Sequence, residues 1–193
     1  MDGTNTVLDP EELFYLALQA SAQGDHAKAI GYLKEGIAIK PSAKLYYILG
    51  AEHAGIGMYE RAVDEMTKAL EIDETLDTAR FQLGLLKMTM NDVEGAKVTW
   101  SQLDMLDNGE PLKLFKTAIL LAVSGDFKQA IEVAQQGVDV NEANIPLNID
   151  MNNLIDRWKG SVSDEGEGAE SFSEDTENGN HFFLSAYKDD KNQ

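Results

Sequence analysis

A repeat of about 34 residues constrains the fold of this chain more than any other feature of its sequence. Four stretches of similar pattern begin at Gly24, Gly57, Asn91 and Gly125, so that successive copies are 33, 34 and 34 residues apart. Each copy carries an alanine at the same place, and these alanines are Ala29, Ala62, Ala96 and Ala130. Such a period predicts supersecondary units that stack on their neighbours and bury a shared core.

The segments upstream of these stretches also align, each with a small residue at the same place. The small residues are Ala17, Gly50, Gly84 and Ala118. They allow two helices to approach closely. Apolar residues recur at i, i+3, i+4 and i+7 in both halves of each copy, which is the period of an amphipathic helix and not of a strand. Each unit is therefore predicted to be a helix, a short turn and a second helix.

Local signals agree with this assignment. Asp9 is expected to cap the first helix, with Pro10 at its first position and Glu12 completing a capping box. The Gly or Asn at each turn suits the left-handed conformation that closes a helix. The aspartates that follow are expected to cap the second helices, and they are Asp25, Asp92 and Asp126.

The four copies in register resemble the tetratricopeptide repeat family, over Pro10 to about Asn144. The resemblance implies an all-α solenoid in which helical hairpins stack into a right-handed superhelix. The expected segments are an arm at 1–9 and repeats at about 10–42, 43–76, 77–110 and 111–144. The third repeat departs from the family pattern at four positions, which makes its packing less regular. These positions are Arg80, Lys87, Lys97 and Asp104.

A last helix is expected at 145–159, capped by Asn144, with Pro146 early in the helix. A solenoid needs such a helix because its final repeat exposes an apolar flank. The residues expected to form the apolar face of this helix are Ile145, Ile149, Met151, Leu154, Ile155 and Trp158.

An acidic, Gly- and Ser-rich segment at 160–180 is expected to be a flexible linker. It leads to an apolar motif, HFFLSAY, within residues 181–193. The side chains of this motif expected to dock on a protein surface are Phe182, Phe183, Leu184 and Tyr187. Two hypotheses remain for the motif: a plug for the chain's own binding groove, or a short segment offered to another protein.

Composition excludes several classes of function. With 34 acidic and 16 basic residues the net charge is -18, which opposes binding to nucleic acid or to an anionic membrane. The sequence has no cysteine, no helical His pair for a metal and no Gly-rich phosphate loop. The segment from Asp104 to Glu110 lacks the alternating ligands of a calcium loop. We expect a cytoplasmic protein that is not an enzyme and that has no cofactor or metal.

The family resemblance implies that first-helix residues line a concave binding groove. The positions that match the groove are Phe14, Leu18, Tyr47, Phe81, Leu85, Met88, Phe115 and Ile119. The lysine and asparagine clamp of family members that bind chaperone C-termini is missing, because the matching positions include Phe14, Leu18 and Gln82. An apolar or aromatic peptide or helix of a protein partner is the expected ligand, since burying one large side chain contributes about 1.5 to 3 kcal/mol.

The sequence therefore predicts a non-catalytic adaptor or scaffold, and regulation by its own C-terminal motif is a further hypothesis. A first alternative is a cytosolic chaperone for apolar segments of a client, such as a type III secretion translocator. A second alternative is a scaffold that self-associates through the tail or through the ends of the solenoid.

Overall fold

The computed structural model describes residues 8–163, and within them the chain is helical, with no strand. Residues 8–163 form nine α-helices and one 3₁₀ helix. They are α1 (Pro10–Ala22), α2 (His26–Ile39), α3 (Ala43–Gly55), α4 (Tyr59–Ile72), α5 (Asp77–Thr89), α6 (Val93–Trp100), the 3₁₀ helix (Ser101–Met105), α7 (Pro111–Val123), α8 (Phe127–Val140) and α9 (Ile145–Ser163). The all-α class and the helix–turn–helix repeats are confirmed.

The chain forms two compact units that divide between Ala79 and Arg80. The first unit contains α1 to α4, in which α1 packs on α2, α2 on α3 and α3 on α4. The second unit contains most of α5 and all the helices from α6 to α9, with α7 packed on α8 and α8 on α9.

The helix ends form as their residues predict. Asp9 Oδ1 accepts hydrogen bonds of 2.8 Å from the backbone N–H groups of Glu11 and Glu12, and Glu12 Oε2 accepts one of 2.9 Å from Asp9 N. The predicted aspartate caps of α2, α6 and α8 each accept from a backbone N–H three residues later, and they are Asp25, Asp92 and Asp126. These side chains satisfy donors that the first helical turn leaves without a backbone acceptor.

The turn residues also adopt the predicted conformation. Gly24, Gly57, Asn91 and Gly125 have φ angles of 75°, 77°, 62° and 86°. This left-handed region is accessible to Gly at little cost and is tolerated by Asn, so each residue can close the first helix of its hairpin. A left-handed turn residue therefore recurs at the repeat period, between the two helices of each hairpin.

In the first unit, the small residue of α3 marks the closest helix contact. A Cβ atom built on Gly50 lies 2.8 Å from Met66 Cγ and 3.1 Å from the Ala62 carbonyl oxygen, both on α4. Ala29 and Ala62, at the repeated alanine position, are fully buried. The small residues at repeat positions therefore lie where two helices of a hairpin touch.

In the second unit, three aromatic residues form the centre of the core. The rings of Phe81 and Trp100 stack with centroids 5.8 Å apart, and Phe81 lies 6.4 Å from Phe115. A Cβ atom on Gly84 would overlap the Trp100 indole, so the glycine makes room for that ring. Ala118 and the repeated alanines Ala96 and Ala130 are fully buried around this cluster.

The last helix orients differently from the prediction. Leu147, Met151, Ile155 and Trp158 face the core at positions i, i+4, i+8 and i+11, and Leu154 packs beside them. Ile145 and Ile149 are instead exposed, so their assignment to the buried face was wrong. They lie two residues before Leu147 and Met151, and two residues correspond to about 200° around a helix. The helix also continues to Ser163, past the predicted end at residue 159.

Candidate interaction surface

The predicted groove residues are mostly buried in the chain. All of them except Leu18 are at most 6% exposed, and they are Phe14, Tyr47, Phe81, Leu85, Met88, Phe115 and Ile119. Leu18 is partly exposed. Side chains that are this well covered offer a partner little surface in this conformation. The hypothesis that they contact a partner stays a prediction.

The burial of these aromatic rings has a local cause in the second unit. Trp100 Nε1 donates a 2.9 Å hydrogen bond to the carbonyl oxygen of Phe81, and the indole stacks on the Phe81 ring. On the other side, the Phe115 ring packs against α8, where a Cβ on Gly137 would lie 2.5 Å from Phe115 Cε1. Both rings therefore fill space between helices.

The outer face of α1 offers the accessible surface of the first unit. Glu11, Tyr15, Leu18 and Ala22 follow one another at i, i+4, i+7 and i+11, and all four are exposed or partly exposed. The Tyr15 side chain is 55% exposed and meets the Phe14 ring edge to face, with centroids 5.8 Å apart. This face combines an accessible aromatic ring with an aliphatic side chain one helical turn away.

Lys44, at the start of α3, lies beside the same rings. Its Nζ is 3.9 Å from the Phe14 ring centroid and 6.0 Å from the Tyr15 ring centroid. A cation over the face of an aromatic ring is attracted by the ring's quadrupole. The lysine therefore adds a positive charge to an apolar surface in a strongly acidic chain.

Two carboxylate–imidazole pairs connect α3 to its neighbours in the first unit. His26 Nδ1 lies 2.8 Å from Glu52 Oε2, and His53 Nδ1 lies 2.5 Å from Glu65 Oε2. Glu52 is fully buried, and its Oε1 has no hydrogen-bond partner within residues 8–163. The sequence did not reveal these pairs, since their members come from three different helices. They hold α2, α3 and α4 together.

Two lysines of α7 hold the 3₁₀ helix and the loop after it. Lys113 Nζ donates to Asp104 O at 3.0 Å, to Leu106 O at 2.8 Å and to Asn108 Oδ1 at 3.0 Å. Lys116 is buried, and its Nζ lies 2.5 Å from Asp104 Oδ1 and 3.1 Å from Trp100 O. Oxygens of this loop thus bind the chain's own ammonium groups.

The structure bears on metal sites and membrane-spanning helices only within residues 8–163. No cluster of three or more metal-binding side chains occurs among them. None of their helices combines the length and the apolar character that crossing a bilayer requires. The predicted docking residues of the C-terminal motif lie outside this range, and they are Phe182, Phe183, Leu184 and Tyr187. Their role stays a prediction.

Comparison with known families identifies one repeat of the chain. A tetratricopeptide repeat model matches residues 43–76, the range expected for the second repeat. This match shows a tetratricopeptide repeat at residues 43–76, and it agrees with the helical hairpin formed there by α3 and α4.

The solved structures similar to this chain include three that carry the name MamA. MamA 41-end from Desulfovibrio magneticus RS-1 matches with a TM-score of 0.57 and 19% identity, over 80% of this chain and 89% of that chain. A MamA crystal structure matches at 0.57 and 21% identity, over 67% and 77%. A third MamA structure matches at 0.56 and 17% identity, over 80% and 88%. At these identities the likeness concerns the fold. No curated protein sequence matches the chain significantly.

Proposed function

We propose that this chain is a non-catalytic protein–protein interaction module, an adaptor or scaffold that binds an apolar or aromatic peptide or helix. The observation that carries the proposal is the tetratricopeptide repeat at residues 43–76, set among helical hairpins of the same design. Stacked helical repeats mainly provide extended binding surface.

The outer face of α1 is the surface that we assign to the partner in the first unit. Tyr15 and Leu18 are accessible there, whereas the neighbouring Phe14 is covered. An exposed tyrosine offers a large, rigid and amphipathic contact, and such residues often dominate the energy of binding. Lys44 adds a charge that favours a partner with a carboxylate near its apolar side chain.

Recovery of partners by the full-length chain tests this assignment. The variant Tyr15→Ser/Leu18→Ser removes the accessible apolar atoms of the α1 face and should recover far less of any partner that the natural chain retains. Its matched control is Val98→Ser/Met105→Ser, which changes two exposed apolar side chains of the second unit, 73% and 88% exposed. Equal recovery by the natural chain and the α1 variant contradicts the assignment.

Alanine at Phe81 and Phe115 is not a suitable test of partner binding. Both rings are fully buried, and truncating a buried phenylalanine typically costs about 3 to 5 kcal/mol of stability. Loss of binding in that variant would report a damaged fold. The exposed pair on α1 avoids this difficulty.

The adaptor and chaperone hypotheses use the same surface and differ in the state of the partner. A chaperone keeps an otherwise insoluble client in solution, whereas an adaptor binds a partner that is soluble on its own. Co-expression of each recovered partner with the natural chain and with the α1 variant separates them. Solubilisation that depends on Tyr15 and Leu18 supports the chaperone.

Self-association is a second candidate, favoured by the outer face of α9. Ile145 and Ile149 lie one turn apart on α9, the last helix of the second unit, and they are 52% and 60% exposed. Light scattering of the full chain should then show a concentration-dependent oligomer. The variant Ile145→Lys/Ile149→Lys should be monomeric under the same conditions, and an unchanged mass for this variant removes the α9 face as the contact.

A further inference from the structure

A small open cavity lies in the first unit, where the start of α1 meets the turn between α2 and α3. Its volume is about 190 Å³, and its apolar lining comes from Pro10, Phe14 and Leu45. Sites for whole small molecules usually measure about 300 to 1,000 Å³. The cavity therefore has the size for a single side chain of a peptide.

Charged groups surround this apolar floor. Lys40 and Lys44 line the cavity together with Glu11 and Ser42. Ser42 is occupied as a helix cap, since its Oγ accepts a 3.3 Å hydrogen bond from Leu45 N. Both lysines are exposed, and neither has a carboxylate within ion-pair distance in residues 8–163. Two cations against one carboxylate make this rim positive in a chain whose net charge is -18.

We propose that this cavity binds residues 170–175 of the chain's own C-terminal segment, whose sequence is Glu-Ser-Phe-Ser-Glu-Asp. Phe172 supplies the one apolar side chain that the cavity accommodates. Glu170 and Glu174 flank it at two residues on either side, in position to pair with Lys40 and Lys44. The apolar floor of the cavity thus suits the phenylalanine, and the positive rim suits the two glutamates beside it.

Charge complementarity favours residues 170–175 over the apolar motif HFFLSAY as the ligand of the cavity. Residues 164–193 contain nine acids and two lysines, and HFFLSAY at 181–187 contains none of the acids. Phe182 and Phe183 therefore offer the cavity an apolar group without a partner for either lysine. Phe172 is the phenylalanine of this segment with a carboxylate close on both sides.

The inference deepens the proposed function, on which it rests in one respect. Lys44 belongs both to the cavity and to the surface assigned to a partner, so a bound 170–175 segment competes with that partner for the start of the repeats. The segment then acts as an internal competitor that a tighter partner displaces.

Amide chemical shifts of the full-length chain test the contact without any partner. Phe172→Ala should shift the resonances of Phe14, Lys44 and Leu45, and the control Phe182→Ala/Phe183→Ala should leave them in place. Shifts in the control and not in Phe172→Ala overturn the proposal in favour of the apolar motif. The absence of shifts in both overturns docking altogether.

A peptide of residues 166–178, added to the full-length Phe172→Ala variant, tests the cavity directly. It should bind saturably at the same resonances, more weakly at high salt, and about tenfold more weakly when Lys40 and Lys44 are changed to Glu. Peptide binding that is unaffected by the charge reversal contradicts the assigned rim. Binding that appears only after residues 2–7 are deleted assigns the cavity to the N-terminal arm and also overturns the proposal.

Dilution of the natural chain separates docking within one chain from docking between two copies. Resonances that do not change on dilution place the segment in the cavity of its own chain. Resonances that move towards those of Phe172→Ala place it in the cavity of a second copy. Only the first result supports docking of the chain's own segment, and the second overturns it. Failure of both the peptide and the shift experiments leaves the partner surface at Tyr15 and Leu18 untouched.

Discussion

Trp100 Nε1 donates a hydrogen bond of 2.9 Å to the carbonyl oxygen of Phe81, and the indole stacks on the Phe81 ring. Both residues are fully buried, so the indole N–H is satisfied where no water reaches it. The contact joins α5 to α6 across 19 positions of sequence. It accounts for the burial of the Phe81 ring, which is fully covered within residues 8–163.

Gly84 should be intolerant of a side chain. Gly84→Ala places a methyl group where the Trp100 indole lies, and overpacking of this kind typically lowers the free energy of unfolding by about 1 to 3 kcal/mol. Urea denaturation measures the change. Gly31→Ala is the matched control, since a Cβ on Gly31 in α2 meets nothing within 4 Å. That variant should gain about 0.5 to 1 kcal/mol, and a loss in the control equal to that of Gly84→Ala refutes the steric account.

The His26–Glu52 pair should contribute to the stability of the first unit. His26→Ala leaves the fully buried Glu52 carboxylate without its imidazole partner, and an unsatisfied buried polar group typically costs about 1 to 3 kcal/mol. Denaturation followed by circular dichroism measures this cost. Lys97→Ala removes the exposed Lys97–Glu94 pair and should cost well under 1 kcal/mol. If the two variants lose similar free energy of unfolding, the buried pair contributes no more stability than the exposed one.

Lys113 should order the loop after the 3₁₀ helix. Lys113→Met keeps the aliphatic stem but removes the ammonium group that donates to Asp104 O, Leu106 O and Asn108 Oδ1. Amide hydrogen exchange at residues 104–108 should then become faster, with little change in the first unit. Lys128→Met, an exposed lysine of α8, is the control. Unchanged exchange at 104–108 shows that the loop is ordered by other contacts.

Asp73 should titrate below its ordinary range. Asp73 Oδ1 accepts hydrogen bonds from the Thr75 hydroxyl at 2.7 Å and from the Thr75 backbone N–H at 3.0 Å. Both bonds stabilise the charged carboxylate and so lower the pKa of Asp73, and the hydroxyl has the larger effect. Thr75→Val should raise this pKa towards the ordinary value while keeping the backbone bond, and Thr75→Ser should preserve it. NMR titration of the Asp73 carboxyl gives the answer.

The sign of the linked stability change follows from that direction. Because the pKa is lowered in the folded chain, the contribution of Asp73 is present above the unfolded pKa and is lost as the pH falls through the folded pKa. The carboxyl is exposed, so the effect on global stability is small, and the titration itself is the informative measurement. Identical pKa values in the natural chain and in Thr75→Val contradict the assigned cause.

Local features of the sequence determined the helices, their caps and their turns. An aspartate caps the N–H groups two or three residues ahead, and Gly or Asn closes a helix by its own φ angle, as at Asp9 and Gly24. Such interactions involve neighbours in the chain, so the sequence displays both partners together. Because the pattern of helix and turn recurs in four copies, each copy supports the assignment of the others.

The tertiary structure alone decided which side chains are accessible. Phe81 is covered by Trp100, which lies 19 positions away, and the Leu106 carbonyl oxygen accepts from Lys113 of the next helix. Some apolar residues of α9 are buried and others are exposed, because only one face of α9 packs against its neighbours, α8 among them. Burial depends on residues far away in sequence, and a periodic pattern that permits two faces does not specify which one a neighbouring helix will cover.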